Sequence, residues 1–188
     1  VALQNTHPFE QAGRLFAHNG VIGGVPELER ELGPAMDGVR GETDSERYFA
    51  LITREINRAG DVGRGIVEAA GWIAAHLPVF ALNLVLITED ELWALRYPET
   101  NRLYYLERAP GGPTGRRHLE HASARASVRV RSGDLARLPA VVVASEPMDE
   151  NPGWRELTSG ALLHVAPDLR VTVTEPLPHP PARQLTLA

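Results

Sequence analysis

The amino-acid sequence predicts an α+β fold in which two adjacent helices are followed by a run of antiparallel strands. Apolar residues recur at helical spacing between residues 43 and 77, as they do on the buried face of a helix. After Pro78 the pattern changes to short apolar or alternating runs separated by turn residues, which is typical of strands. Helices and strands do not alternate along the chain, which argues against a parallel sheet of βαβ units.

The elements before residue 43 are predicted from turn and stop signals. Residues 14–18 form a short apolar strand that ends at Asn19-Gly20, a dipeptide typical of tight turns. A short helix covers residues 26–32 and stops at Gly33-Pro34. Residues 36–41 are expected to form a loop.

The two longer helices carry clear capping signals. Thr43 with Glu46 three residues later is a capping-box pattern, which predicts the start of a helix that Gly60 ends. Asp61 is suited to cap the next helix. The buried stripe of that helix is predicted to consist of Ile66, Ala70, Ile73 and Leu77.

The strands after Pro78 are predicted at residues 80–88, 91–97, 103–108, 127–131, 140–145, 162–166 and 170–174. Glu89-Asp90 suits a hairpin turn between the first two of them. The run 140–145 is almost wholly apolar, which predicts a central strand. Residues 176–181 are rich in proline and predict an extended surface tail, so that we expect a domain over residues 1–175 and a tail over residues 176–188.

Composition and charge exclude several classes of protein. The 188 residues, 43% of them hydrophobic and 23% charged, suit a single globular domain. A net charge of −5 gives no electrostatic reason to expect nucleic acid or an anionic membrane as a partner. The chain has no cysteine, so it has neither disulfides nor a cysteine zinc site, which fits the cytoplasm. We expect no metal and no cofactor. Because Val1-Ala2-Leu3 reads as the interior of a domain, we also expect further sequence before it.

Asn19-Gly20 can be interpreted in two ways. Amide cleavage requires rigid N–H donors that stabilise the developing oxyanion. Asn19 offers a side-chain amide, and Gly20 offers a backbone N–H that no side chain obstructs. The alternative is that the dipeptide only makes a tight turn.

The segment Thr43-Asp44-Ser45-Glu46 also has two interpretations. A carboxylate at a helix start complements the helix dipole and caps backbone N–H groups without any ligand. The functional alternative is that Asp44 binds the α-ammonium group of an amino-acid substrate.

Taken together, three segments suggest a family. Asn5-Thr6-His7-Pro8-Phe9, His18-Asn19-Gly20 and Thr43-Asp44-Ser45-Glu46 follow one another within about forty residues. This order resembles the class II glutamine amidotransferases, which have the N-terminal-nucleophile hydrolase fold, and in particular the compact branch without a synthase domain that acts on γ-glutamyl compounds. The apolar run 141–143 with the residues that follow it to Pro147, and Trp154, resemble the same branch. The resemblance implies a four-layer α-β-β-α sandwich of antiparallel sheets that is incomplete at its N-terminus.

The resemblance also implies roles for individual residues. The complete protein would cleave the γ-amide of glutamine or of a γ-glutamyl compound through a cysteine thioester, and a partner protein could accept the ammonia. Asn19 and Gly20 would form the oxyanion hole, while Asp44 and the Gly20 carbonyl would hold the substrate α-amino group. His7 and His18 match positions that support the pocket, and neither is expected to act as a base.

Two residues of the family pattern are missing from the chain. The nucleophilic cysteine and the arginine that binds the substrate carboxylate are expected upstream of Val1, so the chain alone should be inactive. Ser45 and Ser145 have no base at a recognisable spacing, and His118 with His121 lacks a third metal ligand. The alternative function is a non-catalytic module that senses an amino acid, or a domain that kept only the fold. Cysteine directly after the initiator methionine of the full gene product would favour the enzyme.

Overall fold

The computed structural model of the chain describes residues 2–112, 119–122 and 129–186. These residues form two units. The first unit contains Val1–Asn101 and Thr158–Ala188, and the second contains Arg102–Leu157. All of the predicted site residues belong to the first unit, which is therefore described in more detail.

Three α-helices lie in the first unit: α1 (Val25–Leu32), α2 (Asp44–Ala59) and α3 (Val62–His76). The N-caps of α2 and α3 are those that the sequence predicted. The Thr43 hydroxyl accepts from the Glu46 N–H, and the Asp61 carboxylate accepts from the Arg64 N–H. Gly60 ends α2 in the left-handed conformation with φ 67°, which costs glycine little. The helices between residues 43 and 77 are thus confirmed.

Residues 33–38 differ from the prediction because they form a 3₁₀-helix, Gly33–Gly38, directly after α1. Pro34 occupies its first turn, where the fixed φ of proline suits a helix and its missing N–H costs nothing. The proline therefore ends α1 but begins another turn. Similar short 3₁₀ turns occur at Leu3–Asn5 and Asp134–Ala136.

The first unit contains one seven-stranded sheet. Six strands follow the order β1-β2-β3-β4-β10-β11 with antiparallel pairing, and β12 pairs with β3 in parallel. The hairpin predicted at Glu89-Asp90 joins β3 to β4 and is confirmed. The strands are β1 (Phe9–Gln11), β2 (Arg14–Ile22), β3 (Pro78–Ile87), β4 (Leu92–Leu95), β10 (Leu162–Val165), β11 (Val171–Thr174) and β12 (Arg183–Gln184).

The second unit contains a three-stranded antiparallel sheet of order β8-β5-β9 and the hairpin β6-β7. Its strands are β5 (Tyr104–Arg108), β6 (Leu119–Ala122), β7 (Arg129–Ser132), β8 (Ala140–Ala144) and β9 (Arg155–Glu156). The central strand is β5, and within the described residues β8 pairs with β5 alone. The prediction of a central strand at 140–145 is therefore wrong. An apolar run indicates that its side chains are covered, and it does not indicate how many strands pair with it. The antiparallel sheets and the α+β class are confirmed.

The core of the first unit lies between the helices and the sheet. The predicted stripe of α3 is fully buried, and it packs with the apolar face of α2 and the inner side chains of β2 and β3. Gly65 lets α3 approach α2 closely, since a Cβ at this position would lie 2.6 Å from the backbone nitrogen of Ile56. The helix pair is consequently fixed against the sheet that carries the candidate site.

Residues 176–186 run along the first unit and are mostly exposed, as the proline-rich composition suggested. They are nevertheless attached at several points. Leu177 packs on the core, the Ala182 N–H donates to Ala74 O, and β12 lies beside the start of β3. The Tyr97 hydroxyl donates to His179 O over 3.0 Å.

We predict that Gly65→Ala destabilises the full-length protein by about 1–3 kcal/mol, because the added methyl group must displace the backbone of α2. Gly71→Ala is the matched control on the same helix, where the nearest atom to the added Cβ is the end of Leu177, at 3.7 Å. That substitution should instead stabilise by about 0.5–1 kcal/mol through helix propensity. The urea midpoints of the two variants measure the difference, and equal midpoints would contradict the close packing at Gly65.

Candidate functional site

The candidate site lies along one edge of β2. On its other side β2 pairs with β3 over most of its length, whereas β1 covers only Arg14 to Phe16. Beyond that point the edge is occupied by side chains. The His18 N–H donates to His7 Nε2 over 3.2 Å, and the Ile22 N–H donates to Asp44 Oδ2 over 2.8 Å.

Gly20 lies between these two contacts. Its partner on β3 is Leu82, whose N–H points away from β2 and donates to Tyr97 O over 2.6 Å. Because the N–H and C=O of a strand residue point to the same side, Gly20 and Leu82 form a non-hydrogen-bonded pair. The backbone N–H and C=O of Gly20 therefore face the open edge of β2, between His7 and Asp44.

The turn predicted at Asn19-Gly20 is absent, since β2 continues through both residues to Ile22. Positive φ values occur instead at Ala12 (51°) and Gly13 (73°), where the chain turns from β1 into β2. Glycine is required at position 20 for space. A Cβ there would collide with the carbonyl oxygen of Ala81 and would lie 2.6 Å from His18 Nε2.

His18 connects three elements through a buried imidazole. Its Nε2 lies 3.1 Å from Ala81 O and its Nδ1 lies 2.9 Å from Ser45 Oγ. A carbonyl can only accept, so Nε2 carries the proton and Nδ1 accepts from the Ser45 hydroxyl. Burial lowers the pKa of His18, against the opposing effects of the Ala81 hydrogen bond and the Asp44 charge. Both nitrogens are occupied, and the ring is thus a neutral joint between β2, β3 and α2.

His7 contacts this joint from the segment before β1. Its Nε2 accepts from the His18 N–H, which requires an unprotonated nitrogen. Burial lowers the pKa of His7, and the Asp44 charge opposes that shift. Its ring also packs edge-on against Phe9 with 4.8 Å between centroids.

Ser45 is the one predicted alternative nucleophile that lies beside a histidine. The contact with His18 Nδ1 resembles that of a nucleophile and a base. No local pattern predicts it, because 27 residues separate the two. Both side chains are buried, with 7% exposed for each residue, and the hydroxyl proton is directed into the core. The pair therefore serves packing and cannot reach a substrate.

Asp44 occupies the first turn of α2. Its Oδ2 accepts from Ile22 of β2, and its Oδ1 accepts from the Ser45 N–H over 2.7 Å. The carboxylate thereby connects the helix start to the edge of the strand.

Glu46 holds the loop before α2, and the sequence suggested this role only in part. Half of the capping box forms, since Thr43 accepts from Glu46. The Glu46 carboxylate is directed instead to the Arg40 N–H at 2.7 Å and the Gly41 N–H at 2.6 Å. Asn5 Oδ1 accepts from the Glu42 N–H over 2.9 Å. These bonds fix the position of Asp44.

Asn19 projects from the opposite face of β2 to His18, because side chains alternate along a strand. It is exposed and stands opposite Asn83 of β3. The Asn101 Nδ2 group approaches its backbone oxygen at 3.3 Å and its side-chain oxygen at 3.4 Å. No local pattern indicates a role for Asn101, because it follows Asn19 by 82 residues.

The remaining candidates are not assembled into a site. Ser145 lies in the second unit, while His118 and the side chain of His121 lie outside the described residues. In the described part of the chain, no three His, Asp or Glu side chains form a group that could bind a metal. None of the described helices is long and apolar enough to cross a bilayer.

A cavity of about 650 Å³ opens elsewhere on the first unit, between β1, the 3₁₀-helix and α2. Arg40, Thr53 and Arg58 are among its lining residues, and none of the predicted site residues lines it. The candidate site is therefore an edge and not this cavity.

The family model of the class II glutamine amidotransferases matches residues 1–185. The chain belongs to this family. The match covers all three motifs and both units, so the family predicted from the motifs is confirmed. No curated protein sequence matches the chain.

Solved structures of other proteins share the fold of this chain. It is 20% identical to a glutamine aminotransferase class-II domain protein from Silicibacter pomeroyi (TM-score 0.59), with 90% of this chain and 70% of that chain covered. It is 23% identical to a predicted glutamine amidotransferase from Pseudomonas aeruginosa (TM-score 0.64), with 90% and 65% covered. Glutamine phosphoribosylpyrophosphate amidotransferase from B. subtilis, complexed with ADP and GMP, is 18% identical (TM-score 0.60), with 95% and 33% covered. The chain thus spans about two thirds of the first two and a third of the last.

We predict that the full-length protein loses stability in acid because of the buried His18. The unfolded chain binds a proton near pH 6.5, whereas the folded state resists protonation. The contribution of the neutral ring to the free energy of unfolding is therefore complete above about pH 6.5 and is lost as the pH falls toward the lowered folded-state pKa.

Urea midpoints of the full-length protein at about pH 7.5 and 5.5 measure this loss. His18→Gln should be less stable at the higher pH and should show a smaller difference between the two. An equal difference in both proteins would show that His18 is not the group responsible, and His7→Gln would then identify a contribution from the second histidine.

Proposed function

We propose that the full-length protein cleaves the γ-amide of glutamine or of a γ-glutamyl compound, and that this chain supplies the oxyanion hole and the amino-group anchor. The observation that carries the proposal is the open edge of β2, where Gly20 directs its backbone groups between His7 and Asp44. The chain contains no cysteine. The thiol that forms the thioester therefore comes from outside these 188 residues.

The oxyanion hole consists of the Asn19 side-chain amide and the Gly20 N–H. Donors of this kind act because they are fixed before the reaction begins. β2 meets that requirement, since it is paired with β3 and tied to Ala81 and Ser45 through His18. The strand therefore keeps its position while charge develops on the substrate carbonyl.

The amino-group anchor consists of Asp44 and the Gly20 carbonyl. The Asp44 oxygens accept backbone hydrogen bonds from Ile22 and Ser45, and the Ser45 hydroxyl lies 3.3 Å from Oδ1. A carboxylate has about four lone-pair sites. Capacity thus remains for a substrate ammonium. The bond to Ile22 keeps the carboxylate two residues along the edge from Gly20.

His7 and His18 support the pocket and take no part in proton transfer. Burial lowers the pKa of both histidines. His7 Nε2 accepts from the His18 N–H, and both ring nitrogens of His18 are hydrogen-bonded. The base is expected to be the free α-amino group of the cysteine, as the family resemblance implies.

In the proposed reaction the thiol passes its proton to the α-amino group, and its sulfur forms a bond to the amide carbon. The carbon–nitrogen bond then breaks, and the departing nitrogen takes that proton, leaving as ammonia from glutamine or as an amine from a γ-glutamyl compound. Water then hydrolyses the thioester to release the acid and restore the thiol. The protein acts as a hydrolase if the ammonia is released, and as part of a transferase if a partner protein accepts it. We place it in the cytoplasm, where a free thiol persists.

A non-catalytic amino-acid sensor is the second candidate, and the absence of cysteine from the 188 residues favours it. The residue after the initiator methionine of the full gene product decides between the two. Full-length protein with cysteine there should release ammonia from glutamine or the free amine from a γ-glutamyl peptide, and cysteine→alanine should abolish the release. Binding of either compound without cleavage of its amide would favour the sensor.

Asp44→Asn should raise KM by about 10–100-fold and leave kcat within a few-fold, because a charge-assisted contact is worth about 1.5–3 kcal/mol. Asparagine keeps the shape and one backbone contact, so that the loss reflects the charge. Asp61→Asn is the matched control, since Asp61 also stands at a helix start but lies away from the edge of β2. Steady-state kinetics on the full-length protein measure both, and an unchanged KM in Asp44→Asn would remove Asp44 from the anchor.

Asn19→Ala should lower kcat of the full-length protein by about 10²–10³, the usual cost of losing one oxyanion donor. KM should change little, because the donor acts mainly in the transition state. Asn57→Ala, an exposed asparagine of α2, should retain normal kinetics. A near-normal kcat in Asn19→Ala would leave that residue with a structural role alone.

A further inference from the structure

An amide group can point either its oxygen or its nitrogen toward a ligand, and only the nitrogen can stabilise an oxyanion. Asn19 is exposed, and no packing of its side chain fixes the choice. Within the described residues, the side chain of Asn19 makes one hydrogen bond. Its donor is the Nδ2 group of Asn101, which lies 3.4 Å from Asn19 Oδ1 and 3.3 Å from Asn19 O.

Asn101 is well placed to impose this orientation because its own backbone is fixed. Its carbonyl oxygen accepts from Asn83 Nδ2 and from Arg96 Nε, each over 3.1 Å. Asn83 is 1% exposed and Arg96 is 9% exposed. Asn83 also accepts from the Tyr97 N–H over 2.9 Å, and it stands directly opposite Asn19 in the sheet.

The loop that carries Asn101 is attached from its outer side as well. The Thr100 hydroxyl donates to Phe80 O over 2.6 Å. Gln184 of β12 donates to Thr100 Oγ1 over 3.2 Å, and Tyr97 donates to His179 O. The C-terminal segment therefore holds the loop against the start of β3, and Asn101 has little freedom to leave Asn19.

We propose that Asn101 is a positioning residue that sets the rotation of the Asn19 amide, and this inference rests on the proposed role of Asn19 as an oxyanion donor. The donor group of Asn101 attracts Asn19 Oδ1 and repels Asn19 Nδ2. Asn19 Nδ2 is thereby turned away from Asn101 and left available to a ligand. Without Asn101 the amide would rotate freely and would present its oxygen to the oxyanion for part of the time.

Two substitutions at one position separate this role from a general structural one. Both retain the backbone oxygen that binds Asn83 and Arg96. Asn101→Ala removes the restraint on the Asn19 amide together with the contact to the Asn19 backbone oxygen. Asn101→Asp replaces the donor with an acceptor of the same shape, which should attract Asn19 Nδ2 and reverse the amide.

In the full-length enzyme, Asn101→Asp should lower kcat by about 10²–10³, as far as Asn19→Ala does, because the donor is withdrawn. Asn101→Ala should lower kcat by a smaller factor, and KM should change little in either variant. In an Asn19→Ala background, Asn101→Asp should have no further effect, since the two residues act as a unit. A further fall in that background, or a normal kcat in Asn101→Asp alone, would overturn the proposal.

A measurement without catalysis distinguishes failure of this inference from failure of the proposed function. In full-length protein labelled with ¹⁵N-asparagine, Asn19→Ala identifies the Asn19 side-chain resonances by their loss. Asn101→Asp should shift one Asn19 amide proton downfield, as it becomes a donor to the carboxylate, and Asn101→Ala should not. An unmoved resonance in Asn101→Asp overturns the positioning role whatever the activity. The expected shift in a protein that cleaves no amide would support the contact and refute the amidase proposal.

Discussion

The hydrogen bonds of the buried His18 imidazole are the constraint on which the candidate site depends. One ring holds the carbonyl of Ala81 on β3 and the hydroxyl of Ser45 on α2, and so fixes the distance between the sheet and the helix that carries Asp44. The contact with Ala81 needs the space that a Cβ at position 20 would fill. Glycine there is thus required by the histidine two residues earlier, and the site receives an unobstructed backbone N–H as a consequence.

Beyond Phe16, no other strand within the described residues covers this edge of β2. Backbone groups on a strand edge normally pair with another strand or with water. Here His18 and Ile22 satisfy theirs with the side chains of His7 and Asp44, which leaves Gly20 between a neutral ring and a carboxylate. Polarity changes along the edge within a few residues, so a substrate carrying both an amide carbonyl and an ammonium group matches it better than an additional strand would.

Local chemistry predicted much of this fold, and long-range contacts account for most of what it missed. Capping residues and helical spacing gave α2 and α3 because those signals act within a few residues of one another. The prediction of a turn at Asn19-Gly20 was wrong because this dipeptide suits two structures. It suits a turn, where glycine adopts positive φ, and it suits a crowded strand, where glycine is small enough to fit. Only the position of Ala81 decides between them. Similarly, Glu46 was expected to close its own capping box, yet the loop at Arg40 and Gly41 offers it two N–H groups. Asn101 carried no signal because its importance depends on Asn83 and on the course of the C-terminal segment.

Proximity of a nucleophile and a base does not by itself define an active centre, as the first unit demonstrates. Ser45 and His18 have the distance of a catalytic pair, but both are buried and the second ring nitrogen is bound to a carbonyl. The hydroxyl is buried, and burial of the ring disfavours the imidazolium that would form if it took the serine proton. Asn19 and Gly20 have no reactive group, yet they lie where a substrate can approach, on a strand that is held still. For amide cleavage the second arrangement is the more informative, because a fixed donor can serve a thiol supplied from elsewhere, whereas a buried hydroxyl cannot serve any substrate.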